Sequence, residues 1–294
     1  MLFSEVYRSP SLADCDQRAF VLKAVGIVYL IEKHEDYFSL VVPAERAAAA
    51  LEHLRQYEME SVPPPPAPKI KLHGRAWLGS IVYALVVIAV AYCAGENVGG
   101  LDWVDIGALT RAALYDFEWW RAITALTLHV DVAHLIGNLV FGIPYGFFAS
   151  QLLGPGRAWL SIIVAATCAN MIDSAIMHEH QASIGASTAV FAMLGLVATY
   201  SWRKVPAQSK HWARRWAPVI AAVALLAFTG VGGEHTDVAA HVAGFFCGAL
   251  LALAQSRFDR IATHGRVFQF VAGFVVVLAI VGAWIAAALS HTAT

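Results

Sequence analysis

Charge is scarce in this chain: Asp, Glu, Lys and Arg make up 14% of its 294 residues, against 59% hydrophobic residues. With a mean hydropathy of +0.60, that balance excludes an ordinary soluble globular protein and assigns the chain to a membrane. The formal net charge is −1 at neutral pH, so no basic field exists to hold nucleic acid, and no nucleic-acid partner is expected. Cysteine is also scarce. Cys15, Cys93, Cys168 and Cys247 fall at no paired spacing, which suggests neither a disulfide framework nor a thiolate metal site and reads as small core residues. The N-terminus, MLFSEVYRSPSLADCDQ, lacks the basic region and continuous apolar stretch of a signal peptide, so no cleaved leader is expected.

What is present divides the chain into parts. Residues 1–57 alternate short strand-like runs (Leu2–Tyr7, GIVYLIE, YFSLVV) with helical spacing near Leu12–Val25 and in PAERAAAALEHLRQYE, which predicts a small βαββα domain. Residues 58–75 contain four consecutive prolines, Pro63 to Pro66, and predict an extended, semi-rigid linker. Beyond it lie apolar segments near the ~20 residues needed to cross a ~30 Å hydrocarbon core. Seven are expected, at about 77–95, 124–152, 157–177, 185–202, 215–233, 238–255 and 267–289. If all cross, Lys69, Lys71, Arg75, Arg157, Arg203, Lys204, Lys210, Arg214, Arg215, Arg257, Arg260 and Arg266 share one side. The other side has mainly Arg111 and Arg121. Basic loops stay inside, so the N-terminal domain is expected in the cytoplasm and the C-terminal SHTAT outside.

Pattern alone favours a seven-span transporter or structural membrane protein over an enzyme. Polar residues at hydrocarbon depth need a separate reason, because each costs a few kcal/mol without a partner. In HVDVAHLIGN, His134 and Asn138 are four apart and share a helical face. Ser187 opens the fourth segment in GASTAVFAMLG, and in TDVAAHVAGFFCG His241, Gly244 and Gly248 share a small-residue face. At 1.5 Å per residue, Ser187, His241 and His134 lie at about 8, 6 and 7 Å below the outer surface. A serine with a neutral imidazole is an activated nucleophile. Asn138, His134 and the Ser187 amide are donors suited to an oxyanion.

Taken singly, each has a plainer account: a back-bonded serine, interhelical glue for His134 and Asn138, and a helix N-cap for Asp237. A histidine metal site among His129, His134, His178, His180, His235 and His241 lacks any tight HxxxH or HExxH spacing, and no metal or other cofactor is expected.

Several separated pieces together resemble the rhomboid family of intramembrane serine proteases. EWWRAITALTLHVDVAHLIGN is similar to its E-x-W-R-x-x-T segment followed by H-x4-H-x3-N, placing Glu118, Trp120, Arg121, Thr124, His129, His134 and Asn138. GASTAVFAMLG is similar to its G-x-S motif at Gly185 and Ser187, and DVAAHVAGFFCG to its A-H-x-x-G-x-x-x-G motif at His241, Gly244 and Gly248. The resemblance covers roughly residues 76–255. It implies an all-α polytopic membrane protein: a six-helix core over 76–255, then a cytoplasmic loop, a seventh transmembrane helix and a short outside tail over 256–294, with the small α+β domain in the cytoplasm. It also implies a Ser187–His241 dyad without a catalytic carboxylate, an oxyanion site at His134, Asn138 and Ser187, and single-span membrane proteins as substrates in the lipid bilayer. The implied location is a bacterial inner (plasma) membrane. His129, Trp120 and Arg121 would hold the loop between the first two spans. Thr188 departs from the glycine often found after the serine. Phe191, at a position often aromatic, keeps a ring to pack on His241. The alternative is a non-catalytic rhomboid-like protein that binds or transports membrane clients; inactive members generally lack the serine or the histidine, and this chain has both.

Overall fold

The computed structural model describes residues 2–61, 72–178, 181–205, 212–229, 237–257 and 265–292. It divides into two compact units, Met1–Pro68 and Lys69–Thr294. The proline run, Lys69, Lys71, His180, Lys210, His235, Arg260 and the last two residues of the tail lie outside the described residues.

The first unit runs β1 (Phe3–Ser9), α1 (Leu12–Ala24), β2 (Leu30–Lys33), β3 (Phe38–Pro43) and α2 (Ala47–Ser61), so α2 continues past the expected boundary at residue 57. Its antiparallel sheet has the order β1-β3-β2. The central strand is the apolar one. Leu40 and Val42 bury against Ala19 and Leu22 of α1 and Ala50 and Leu54 of α2, each large aliphatic side chain contributing about 1.5–3 kcal/mol. Helix α1 stops where Gly26 takes φ +73°. There the amides of Gly26 and Ile27 return to the carbonyls of Lys23 and Leu22, a left-handed ending that glycine adopts without steric cost.

The second unit runs α3 (Trp77–Gly95), α4 (Trp103–Gly107), β4 (Leu109–Thr110), α5 (Arg111–Tyr115), α6 (Arg121–Thr124), α7 (Val132–Leu153), α8 (Pro155–Ile176), β5 (Ala182–Ser183), α9 (Ser187–Lys204), α10 (Trp212–Thr229), α11 (Val238–Arg257) and α12 (Arg266–Thr292). Among the described residues, five helices (α3, α7, α8, α11 and α12) are long and apolar enough to cross a membrane. The chain is a multi-pass integral membrane protein. The apolar part of α10, Arg215–Thr229, is shorter, and α9 ends on Arg203 and Lys204.

One expected span starts later than its hydropathy implies. Residues 125–127 form a 3-10 turn and Leu128 is extended. Helix α7 begins only at Val132, where the Asp131 carboxylate accepts a 2.7 Å hydrogen bond from the His134 amide. An apolar run does not continue a helix through a residue whose side chain caps the next one.

Hydrogen bonds sort the helix ends into two groups. At one end the Arg157 side chain donates to Gln255, Gln255 donates to Ser161, and Gln269 of α12 accepts from the Arg157 amide while donating to the Leu153 carbonyl. Arg203 donates to Ser256 at that same end. At the opposite end the Trp284 indole of α12 donates to Thr127 at 3.1 Å. Helix α12 is therefore pinned at both ends. Helix α9 is enclosed by α7, α8, α10 and α11, and Ala192, Met193 and Leu196 in its middle are fully buried. A helix shielded from lipid tolerates a polar start that an outer helix would not.

Candidate active site

Ser187 is the first residue of α9, after Ala186. Amides in a helix's first turn have no intrahelical acceptor and carry partial positive charge. The segment leading to it is held from two directions. Strand β5 pairs with β4 through Ser183 and Leu109, and the Gly185 amide donates to the Ala125 carbonyl at 2.9 Å. Gly185 has φ +141°, and a Cβ there would lie 2.6 Å from His134 Cε1 and 3.5 Å from Ser187 Oγ. Glycine thus supplies both the backbone turn and the room for the imidazole.

His241 lies in the first turn of α11, buried, with Nε2 2.8 Å from Ser187 Oγ. Asp237 starts that helix: its carboxylate accepts from the Ala240 amide at 3.0 Å and its carbonyl from the His241 amide at 3.1 Å. It is an N-cap. The Phe191 ring packs on the imidazole with centroids 4.4 Å apart.

The distance between Ser187 and His241 is set by how closely α9 and α11 approach. A Cβ on Gly244 would meet the Thr188 carbonyl oxygen at 2.5 Å, and one on Gly248 would overlap the Ala192 carbonyl. Gly195 does the same from α9, lying under the Phe245 carbonyl. Small residues on facing sides allow backbones to touch. Thr188, buried, faces this seam, its Cγ2 3.4 Å from where a Gly244 Cβ would sit.

His134 and Asn138 occupy successive turns of α7. Asn138 is buried, its Nδ2 has no hydrogen-bond partner among the described residues, and its carbonyl accepts from the Tyr83 hydroxyl at 3.0 Å. A buried donor without an acceptor costs about 1–3 kcal/mol, so this amide is a group with an unmet need. His129 packs edge-on against His134 with centroids 5.3 Å apart. Arg121 pairs with Glu118 at 2.6 Å and donates to the carbonyls of Asp105 and Ala108. It ties α4 to α6, helped by Thr124, whose hydroxyl donates to the Gly107 carbonyl at 2.7 Å. Trp120 lies edge-on to Trp119, its indole nitrogen unpartnered among the described residues.

The structure therefore brings Ser187, His241, His134, Gly185 and Phe191 together, and keeps Glu118, Trp120 and Arg121 in the neighbouring loop. Gly244 and Gly248 lie in the seam rather than at the hydroxyl. Among the described residues no group of three or more His, Cys, Asp and Glu side chains is arranged to hold a metal ion. Sequence reasoning passed over Tyr83, Asn170 and Asp173. Asn170 donates to the Ala122 carbonyl at 2.9 Å, and Asp173 is fully buried in α8. The signal was available, since an acid inside an apolar span always needs a partner. A hydroxyl beside an imidazole nitrogen, with open amides at a helix start, is an arrangement suited to acyl transfer.

Residues 116–258 match the family model described as the Rhomboid domain. The chain is 30% identical to Rhomboid-like protease 3 of Toxoplasma gondii over 149 residues, 50% of this chain and 55% of that protein. It is 29% identical to Rhomboid protease GluP of Bacillus subtilis over 159 residues, 52% of this chain and 30% of that one. Inactive rhomboid protein 1 of Drosophila melanogaster is 26% identical over 156 residues, 51% of this chain and 10% of that one. The chain thus spans about half or less of the length of these relatives.

Proposed function

This chain belongs to the rhomboid family, and on that premise we propose that it is an intramembrane serine endopeptidase working through Ser187 and His241. The observation that carries the reading is the 2.8 Å separation of Ser187 Oγ and His241 Nε2, which is hydrogen-bonding distance for a base and the proton it removes. As Ser187 Oγ attacks the peptide carbonyl carbon, its proton passes to His241 Nε2, and the imidazolium then protonates the departing amine. The resulting acyl-enzyme is hydrolysed by a water that His241 deprotonates in turn. The Ser187 amide, Asn138 Nδ2 and His134 donate to the oxyanion; each such donor is worth about 10²–10³ in kcat. Asn138 supports this assignment because its Nδ2 is buried without an acceptor among the described residues.

The substrates are membrane proteins with a single span, cut within or beside it after a small residue. In this reading α9 and α10 also cross the bilayer, giving a six-helix core and a seventh helix. The N-terminal domain of residues 1–57 lies in the cytoplasm, joined by the linker 58–75. The C-terminus lies outside, and the membrane is a bacterial inner membrane. The inactive relative supports a second reading, a non-catalytic protein that binds membrane clients.

Purified protein with a single-span reporter separates the two. Ser187→Ala and His241→Ala each lower cleavage by at least about 10⁴-fold, and a fluorophosphonate labels wild type but not Ser187→Ala. Cleavage that persists in both variants, or wild type inert to reporter and probe alike, overturns the protease reading.

A further inference from the structure

Between helices α3 and α12 lies a cavity of about 910 Å³. Leu78, Val82 and Val86 of α3 form one wall, Phe270, Phe274 and Val277 of α12 the other, and Trp159 of α8 the floor. Both helices begin at the same end of this groove, where Arg75 and Arg266 border it. The two arginines are exposed, and neither has an ion pair among the described residues.

Depth and charge select the occupant. From Arg75 to Val87 the chain of α3 rises about 18 Å, and from Arg266 to Ile280 that of α12 rises about 21 Å. One leaflet of a ~30 Å core is about 15 Å deep. The groove therefore runs from headgroup level to slightly beyond the midplane. The walls of Leu78, Val82, Phe270 and Phe274 are ones that hydrocarbon chains pack against. At the mouth, two guanidinium groups and the positive ends of two helices call for an anion. A zwitterionic headgroup would leave that charge unbalanced.

We propose that this groove is a binding site for an anionic phospholipid, its phosphate between Arg75 and Arg266 and its acyl chains between α3 and α12. The deep end is lined by Ala189, so the chain tips reach the back of the helix that starts at Ser187. The inference is independent of the protease reading, because it rests on the groove and not on the dyad.

The test uses the full chain, delipidated in mild detergent and offered phosphatidylglycerol or phosphatidylcholine with the same acyl chains, with bound lipid counted by native mass spectrometry. Wild type is expected to retain one phosphatidylglycerol in preference to phosphatidylcholine. Arg75→Gln with Arg266→Gln weakens phosphatidylglycerol by roughly 30-fold, about one interaction of surface-charge size per arginine, and removes the preference. Val82→Trp fills the groove from one wall and Val277→Trp from the other; each excludes both lipids while circular dichroism and gel filtration remain those of wild type. Glycerol phosphate, which has the headgroup anion without the chains, does not compete. Equal retention of the two lipids by wild type, or selectivity that survives loss of both arginines, overturns the proposal. So does lipid retained unchanged by whichever Trp variant folds, or displacement of the lipid by a single-span peptide that cross-links at Val82.

Discussion

Two helix pairs in the membrane unit make opposite use of the same apolar surroundings. Between α9 and α11, Gly195, Gly244 and Gly248 let carbonyl oxygens of the facing helix lie where a side chain would begin. Between α3 and α12, valines and phenylalanines hold the helices apart around a cavity of about 910 Å³. Lipid tails are as apolar as these side chains, so burial does not drive one pair together more than the other; side-chain size and interhelical hydrogen bonds decide. The consequence is functional. The closed seam holds Ser187 Oγ 2.8 Å from His241 Nε2, and the open one is free to take a ligand.

The sharpest way to break this contrast is at the entry to the seam. Gly185→Ala forces a residue into φ +141° and against His134; a displacement near 1 Å at reacting groups costs about 10²-fold. We expect kcat/KM on the single-span reporter to fall by that factor, and an unaltered value would show that His134 is not held by this turn. A matched pair comes next. Gly248→Ala pushes on the Ala192 carbonyl and is expected to cost about 1–3 kcal/mol as overpacking. Gly273→Ala, whose new methyl group would meet only the Gly156 Cα at 3.8 Å, gains up to about 1 kcal/mol of helix propensity. Thermal unfolding in detergent reads both, and equal shifts for the two variants would remove the distinction between seam and groove. The smallest effect is at the far end of α12. Trp284→Phe deletes the hydrogen bond to Thr127 and should lower stability by about 0.5–1.5 kcal/mol, with reporter cleavage unchanged. A large loss of cleavage there would mean that α12 reaches into the chemistry.

Much of the site was legible because its parts are local. The four-residue spacing of His134 and Asn138 defines one helix face wherever the helix goes, and His241, Gly244 and Gly248 likewise form one stripe. The depth estimate, built only on rise per residue, put Ser187, His241 and His134 near one level; Ser187 Oγ lies 2.8 Å from His241 Nε2, and His134 lies beside Gly185. The span expected from residue 124 failed for an equally local reason, the Asp131 cap that starts α7 at Val132. Hydropathy averages over a window and does not register a single capping carboxylate. The contacts of Tyr83 and Asn170 were not legible, because each joins a residue to a partner far along the chain. Nor was the groove, since a sequence lists side-chain sizes but not which helix will face them.

By itself the sequence determined that this chain enters a membrane, which helix faces carry polar groups, and which of its pieces resemble the rhomboid family. Those properties follow from composition and period, and they hold for any arrangement of the spans. Only the tertiary structure decided that the glycine stripe of α11 meets α9 and not another helix, that Gly185 makes room for His134, and that α12 stands off from α3. Each depends on which backbones approach within a side chain's width, and without a hydrophobic force between helices in lipid that choice is made by packing shape and a few hydrogen bonds.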